Sequence, residues 1–242
     1  MSGARLRILS VVFIVDQPMT KSIADIMLEL PTLGRGVTAT GELRPFSAKE
    51  FFEVSSEMDA NQRSPAYRAL FEQLSLWIKG TLNPATAIEI GAGPGYLLFC
   101  LNRLGIHTLG VDGNPYSKEF FQREHPEFAG KYILDMSFQN DYPPADVVIS
   151  IEVFEHLPDK EIHRVLSKIR GNISPKYVVF SSTPHADPHP GWDIVWGHIN
   201  LKRPEQWRDL FACYSYELVR GVRPPVTDWA SLYIDSNRAA SS

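Results

Sequence analysis

The chain has 242 residues, 44% of them hydrophobic and 21% charged, with a formal net charge of −4. That composition excludes disorder, collagen-like repeats and a long coiled coil. At roughly 150 residues per domain it leaves one generous domain, or one domain with a small cap. The acidic balance argues against a surface built to grip phosphate backbones. Two cysteines, Cys100 and Cys213, are too few for a disulfide framework or a zinc cluster, and both stand in apolar company as reduced core residues. No apolar run approaches the roughly 18 residues needed to span a bilayer. Residues 8–15 follow Arg5 and Arg7 but meet Asp16 and Pro18 and have no small-residue cleavage site, so they read as a strand rather than a signal peptide. A cytoplasmic protein is expected.

After that strand, residues 22–30 have helical spacing, and 31–45, with Gly34, Gly36 and Gly41, read as an exposed loop. Ser47 and Glu50 form a capping-box pattern, so a helix starts there. A second helix begins at Ser64-Pro65 and runs to about Lys79, with Leu70, Leu74, Trp77 and Ile78 on one face. From Pro84 onward short apolar strands (87–90, 108–111, 132–134, 147–151 and 177–180) are separated in several places by helical stretches at 96–104, 116–124 and 160–169. A helix at 204–211 and late strands at 214–219 and 229–234 follow. This alternation implies an α/β fold with a mainly parallel, doubly wound sheet covered on both faces, its ligand lying outside the carboxyl ends of the strands.

Glu89-Ile90-Gly91-Ala92-Gly93-Pro94-Gly95 follows the first of these strands and opens a helix, so its backbone can turn tightly and approach a ligand closely. A dinucleotide fingerprint wants Gly or Ala at the position held by Tyr96. Glu89 also suits a sulfonium and an α-ammonium better than a pyrophosphate. Asp112 stands 21 residues after Gly91, placed to accept both ribose hydroxyls of an adenosine, or else to serve the turn Asp112-Gly113-Asn114. Asp135-Met136 after the third strand suits the adenine amino group and its face, with a helix cap or turn aspartate as the alternative.

At Glu89-x-Gly91-x-Gly93-x-Gly95, at Gly110-Val111-Asp112 and at Asp146 to Leu157 the chain resembles the class I S-adenosylmethionine-dependent methyltransferases, over about residues 62–234. The nearest look-alikes are the small-molecule branches of the ubiquinone-biosynthesis and sugar-modifying types. The resemblance implies a Rossmann-like seven-stranded mixed sheet with the last strand antiparallel, and S-adenosyl-L-methionine as cofactor. It divides the chain into an N-terminal extension or substrate cap, 1–61, and a cofactor-binding domain, 62–242. The cofactor set it implies is Glu89, Gly91, Gly93, Gly95, Asp112, Asp135, Met136 and Ile151. The expected reaction moves a methyl group to O or N of a small polar acceptor. Neither a membrane nor a nucleic acid is expected as partner, and a homodimer is left open.

The candidates for chemistry cluster after the fourth strand. Glu152, Glu155 and His156 would share one face if the chain turned helical there. His156 is then a base, a substrate-orienting group or a structural histidine, with Glu152 beside it. Alternatively Glu152, Glu155, His156 and the later His198 form a divalent-metal site, an order similar to that of small-RNA 2′-O-methyltransferases. Residues 181–203 form a long connection holding His185, His189 and His198, Trp192 and Trp196, read as a lid or pocket wall. His185 is a second base candidate, and Tyr67, Trp192 and Trp196 are substrate-side candidates. Two other classes of reading stay open: a non-catalytic partner subunit that keeps the fold, and a nicotinamide-dependent dehydrogenase, disfavoured by Tyr96 and Glu89.

Overall fold

Short aliphatic runs buried on both faces build the central sheet. The computed structural model describes residues 35–37, 43–45, 47–57, 65–136, 138–186, 193 and 196–239. The strand expected at 8–15 and the helix at 22–30 lie outside the described residues, as do His189 and Trp192. The region expected as a loop carries an antiparallel ribbon, β1 (Arg35–Val37) with β2 (Leu43–Pro45), Gly36 facing Arg44. Helix α1 (Ala48–Glu57) opens on the capping box: Glu50 Oε2 accepts the Ser47 amide at 2.9 Å, and Ser47 Oγ accepts the Glu50 amide at 3.3 Å.

Helix α2 (Pro65–Trp77) leads into β3 (Thr86–Ile90), α3 (Tyr96–Arg103), β4 (His107–Asp112), α4 (Pro115–Glu124) and β5 (Tyr132–Leu134). Then come β6 (Val147–Ile151), α5 (Asp159–Lys168), β7 (Tyr177–Ser181), α6 (Pro204–Ala212), β8 (Tyr216–Leu218), β9 (Ser231–Asp235) and the short α7 (Ser236–Ala239). The seven sheet strands lie in the order β5-β4-β3-β6-β7-β9-β8. Pairings from β5 through β7 are parallel, and β9 runs antiparallel to both β7 and β8. The expected mixed sheet with its last strand reversed is therefore the observed one. Strand order switches at β3, which sits between β4 and β6, and the crevice at that switch is where α/β sheets bind ligands.

Alternation along the strands sorts the core into two layers. Ile88, Val148, Val178 and Phe180 pack with Ile162 and Leu166 of α5 and Trp207 and Phe211 of α6. Ala87, Val147, Ile149 and Val179 pack with Phe71 and Leu74 of α2 and Leu97 and Leu101 of α3. The expectation of two core cysteines is corrected. Cys100 is buried but Cys213 is exposed, because it caps α6 with Sγ directed at its own helix, 3.3 Å from the Asp209 carbonyl. Helix α1, placed in the extension, packs on α4: Asn114 Nδ2 donates to the Ala48 carbonyl at 2.9 Å, and the Phe52 and Phe120 rings lie 5.9 Å apart. Among the described residues no helix is long and apolar enough to cross a membrane.

Candidate functional site

The glycine loop leaves β3 and is tied to its neighbours by backbone. The Gly91 and Ala92 amides donate to the Val111 carbonyl at 2.8 and 3.1 Å, and the Tyr132 hydroxyl donates to the Gly93 carbonyl at 2.7 Å. Gly91 has φ +74°, and a Cβ there would lie 2.2 Å from a Val153 methyl, so strain and space both demand glycine. At the end of β4, Asp112 Oδ2 accepts the Gly93 amide at 2.9 Å and Oδ1 accepts the Asn114 amide at 2.7 Å. The turn role and the loop-facing role thus coexist in one side chain. Burial pushes the Asp112 carboxyl above the usual range, against the lowering effect of the Asn114, Gly93 and Gly113 amides.

An open cleft of about 500 Å³ lies beyond these strand ends, lined by Gly91, Asp112, Asp135, Met136, Val153 and Arg164 among others. Met136 is 61% exposed along it. Asp135 Oδ2 accepts the Asn140 amide at 2.8 Å and the Tyr142 hydroxyl at 2.7 Å, so this aspartate closes the β5–β6 connection as well as edging the cleft. Glu89 is 2% exposed beneath the loop. Ile151 packs with the α2-side core beside Tyr67 rather than lining the cleft. A glycine turn with no room for a side chain at Gly91, a carboxylate at the end of β4 and a buried acid in β3 fit an adenosine bearing a cationic tail.

After β6 the expected shared face breaks up. Glu152 has φ +54°, a left-handed conformation that costs a bulky residue roughly 1–2 kcal/mol, and only then does the chain make the 3₁₀ turn Phe154–His156. The Glu152 carboxylate keeps a hydrogen-bonding contact with that of Glu155, while it also faces Ser181 and Trp229. Its Oε1 accepts from the Ser181 hydroxyl and, at 2.9 Å, from Trp229 Nε1. Ser181 spends its proton on Glu152, so the Thr227 hydroxyl, 2.8 Å away, donates to Ser181. Glu155 is 0% exposed and Oε2 accepts from Ser182 at 2.9 Å; burial, then the nearby Glu152 charge, pushes its carboxyl well above the usual range.

His156 and His198 rings lie 5.1 Å apart, and donor atoms of Glu155, His156 and His198 come within 4.8 Å of one another. Burial, then His198, lowers the His156 imidazole to about 3, against the raising effect of the Gly197 and Trp196 carbonyls. At that value it is a weak base at neutral pH. His198 Nδ1 meets Asp193 Oδ1 at 2.8 Å. Trp196 is half-buried with its carbonyl beside His156, while His185 is exposed with its ring edge-on to Trp229 at 6.3 Å. Tyr67 on α2 is half-buried, its phenol raised by burial and then by Glu152.

Sequence reasoning missed Ser181, Thr227 and Trp229 as site residues. Trp229 reads as the start of the last strand, yet β9 begins at Ser231, leaving Trp229 in the preceding connection. The only sequence signal is an indole beside a strand end that faces the carboxyl edge.

A family model described as a methyltransferase domain matches residues 60–220. No curated protein matches the chain in sequence. Among solved structures, magnesium protoporphyrin IX methyltransferase from Synechocystis PCC 6803, with bound SAM, aligns with TM-score 0.55 at 14% identity, covering 78% of this chain and 96% of its own. N-methyltransferase NodS from Bradyrhizobium japonicum WM9 aligns at 0.55 and 14%, covering 72% and 99%. The methyltransferase domain of bacterial CtHen1-CN aligns at 0.50 and 19%, covering 67% and 96%. At these identities the likeness is one of fold.

Proposed function

This chain belongs to the methyltransferase-domain family and uses S-adenosylmethionine as methyl donor, and from that premise we propose that it methylates O or N of a small polar acceptor. The observation that carries the reading is Asp112 at the end of β4, joined through the Gly93 amide to a glycine loop that tolerates no side chain at Gly91. In this reading Asp112 accepts the ribose hydroxyls, the Gly91–Gly95 backbone lies against the methionine moiety, and Asp135 and Met136 border the adenine. The bound cofactor supplies a methyl group already activated by its sulfonium. What remains for the protein is orienting the acceptor and excluding water. Tyr67, Glu152, His185 and Trp196 border the carboxyl edge of β6 and β7 where the acceptor would enter. The small-molecule branch similar to ubiquinone-biosynthesis enzymes is the finer form of this proposal.

Calorimetry with S-adenosylhomocysteine tests it. The wild type is expected to bind, and Asp112→Ala to bind at least tenfold more weakly. No binding by the wild type, or unchanged affinity in the variant, overturns the assignment.

A second reading rests on the convergence of Glu155, His156 and His198 within 4.8 Å. A divalent ion there would suit a metal-dependent RNA 2′-O-methyltransferase. These residues supply three donors, whereas Glu152, the fourth in that arrangement, is turned toward Ser181 and Trp229. The donor set therefore fits such an ion only in part. Metal content of the purified protein, and turnover in the presence of a chelator, separate the two readings.

A further inference from the structure

The glycine loop rests on a small core of its own. Ala92, Leu98, Phe121 and Tyr132 are buried together, apart from the two larger clusters. A Cβ on Gly95 would lie 2.2 Å from the Phe121 ring, so the loop sits directly on that ring. The Phe121 and Tyr132 rings in turn lie 5.4 Å apart, which brings the start of β5 under the loop.

Most of the loop is tied by backbone: the Gly95 amide donates to the Ala92 carbonyl at 2.9 Å, and Pro94 has no amide hydrogen to give. Gly93 differs, because both of its polar groups go to side chains from other elements. Its amide donates to Asp112 Oδ2 of β4 at 2.9 Å, and its carbonyl accepts from the Tyr132 hydroxyl of β5 at 2.7 Å. Glycine at φ +51° has no side chain to bias its peptide planes, so these two partners select their orientation. Behind the phenol stands Ser117 of α4, 4% exposed and hydrogen-bonded to it. Burial, then the Asp112 and Glu89 charges, push the Tyr132 phenol well above its ordinary range, so it stays protonated and donates. Gly91 and Asp112 line the open cleft, whereas Gly93 is not part of its lining.

We propose that Tyr132 is a positioning residue for the cofactor: its hydroxyl, acting through the Gly93 carbonyl, sets the loop surface on which the methionine half rests. This rests on the S-adenosylmethionine reading above and gives the two halves of the cofactor separate supports. The adenosine half is held in the cleft by Asp112 and its neighbours. The methionine half depends on the path of the loop past Gly93. Pro94 follows directly, so a turn of the Gly93 carbonyl carries the proline ring and the entry to α3 with it. Without the hydroxyl that carbonyl loses its donor, and the glycine is free to take the other orientation of the peptide. A loop already held in its bound shape costs less to order when the ligand arrives, so the phenol acts on affinity without touching the ligand.

The test titrates the full chain with S-adenosylhomocysteine and with adenosine, which lacks the amino-acid half, and follows binding by calorimetry. Tyr132→Phe keeps the ring against Phe121 and removes only the hydroxyl. It is expected to weaken S-adenosylhomocysteine at least fivefold while leaving adenosine affinity unchanged, whereas Asp112→Ala weakens both. If Tyr132→Phe fails to fold, Ser117→Ala replaces it, with S-adenosylhomocysteine expected at least twofold weaker and adenosine again unchanged. Unchanged S-adenosylhomocysteine affinity in the variant used overturns the proposal. Equal losses for the two ligands also overturn it, since they would make Tyr132 a support of the fold alone. A wild type that binds S-adenosylhomocysteine but not adenosine overturns the division into two supports, and the proposal with it. Failure of the wild type to bind S-adenosylhomocysteine instead overturns the cofactor reading, so the two failures are distinct.

Discussion

Asp112 joins the end of β4 to the glycine loop through one carboxylate, with an amide on each oxygen. Because the proposed role requires an ionised acceptor for two hydroxyls, protonation competes with cofactor binding. Burial raises this carboxyl, so competition begins at a higher pH than for an ordinary aspartate. The sign follows directly: S-adenosylhomocysteine affinity is full where Asp112 is ionised and falls as pH drops through its raised pKa. Calorimetry between about pH 7 and pH 4 should show that fall in the wild type, and Asp112→Asn should flatten it. An unchanged slope in Asp112→Asn would place the titration elsewhere. Asp112 is readable in sequence because its spacing from Gly91 is set by one βαβ unit. Glu152 is visible only as an acid after a strand, since its partner Trp229 lies 77 residues away and its left-handed turn has no residue signature.

Between elements, the start of the sheet is stitched by Asp146, just ahead of β6. Its Oδ2 accepts the Ala85 and Thr86 amides, each at 2.9 Å, and its own amide donates to Thr86 Oγ1 at 3.0 Å. Removing the carboxylate leaves two amides at the mouth of β3 without that acceptor. Asp146→Ala is expected to destabilise the fold by about 1–3 kcal/mol, read as a lower urea midpoint with an unchanged slope. A midpoint equal to wild type would show that water replaces the carboxylate at no cost. Element identity was legible here because buried parallel strands are apolar on both faces and α5 is amphipathic. Element ends were less so. Helices α2 and α5 both run on through a π-helical turn, Ile78–Leu82 and Ile169–Ile173, closed by left-handed Asn83 and Ser174. Sequence reading stops these helices near Lys79 and Ile169, because the extra turn owes its stability to packing of Ile78, Ile169 and Ile173 in the core.

Across the whole molecule the net charge is −4, and several cations are paired with neighbouring carboxylates. Arg170 meets Asp235, Lys202 meets Asp159, Arg223 meets Asp228 and Arg208 meets Asp209. A net negative chain repels a phosphate backbone at long range, and a cation already paired releases fewer counterions on meeting one. The purified chain is expected to show no binding to a single-stranded RNA oligonucleotide in a filter assay at about 0.15 M salt, near physiological ionic strength. Tight, steeply salt-dependent RNA binding would favour the metal-dependent RNA reading instead.

The amino-acid sequence by itself determined the α/β alternation, the glycine loop, the position of Asp112 and with them the methyl-donor chemistry. Each of these depends on contacts within one or two adjacent elements, where periodicity and turn chemistry are local. Only the tertiary structure decided which acids and rings meet past the ends of β6 and β7. Glu152 reaches Ser181 and Trp229 through the β6–β7 pairing and the return of β9 against β7, and α1 reaches Asn114 by packing on α4. Those meetings follow from sheet order and chain return, which no local pattern encodes.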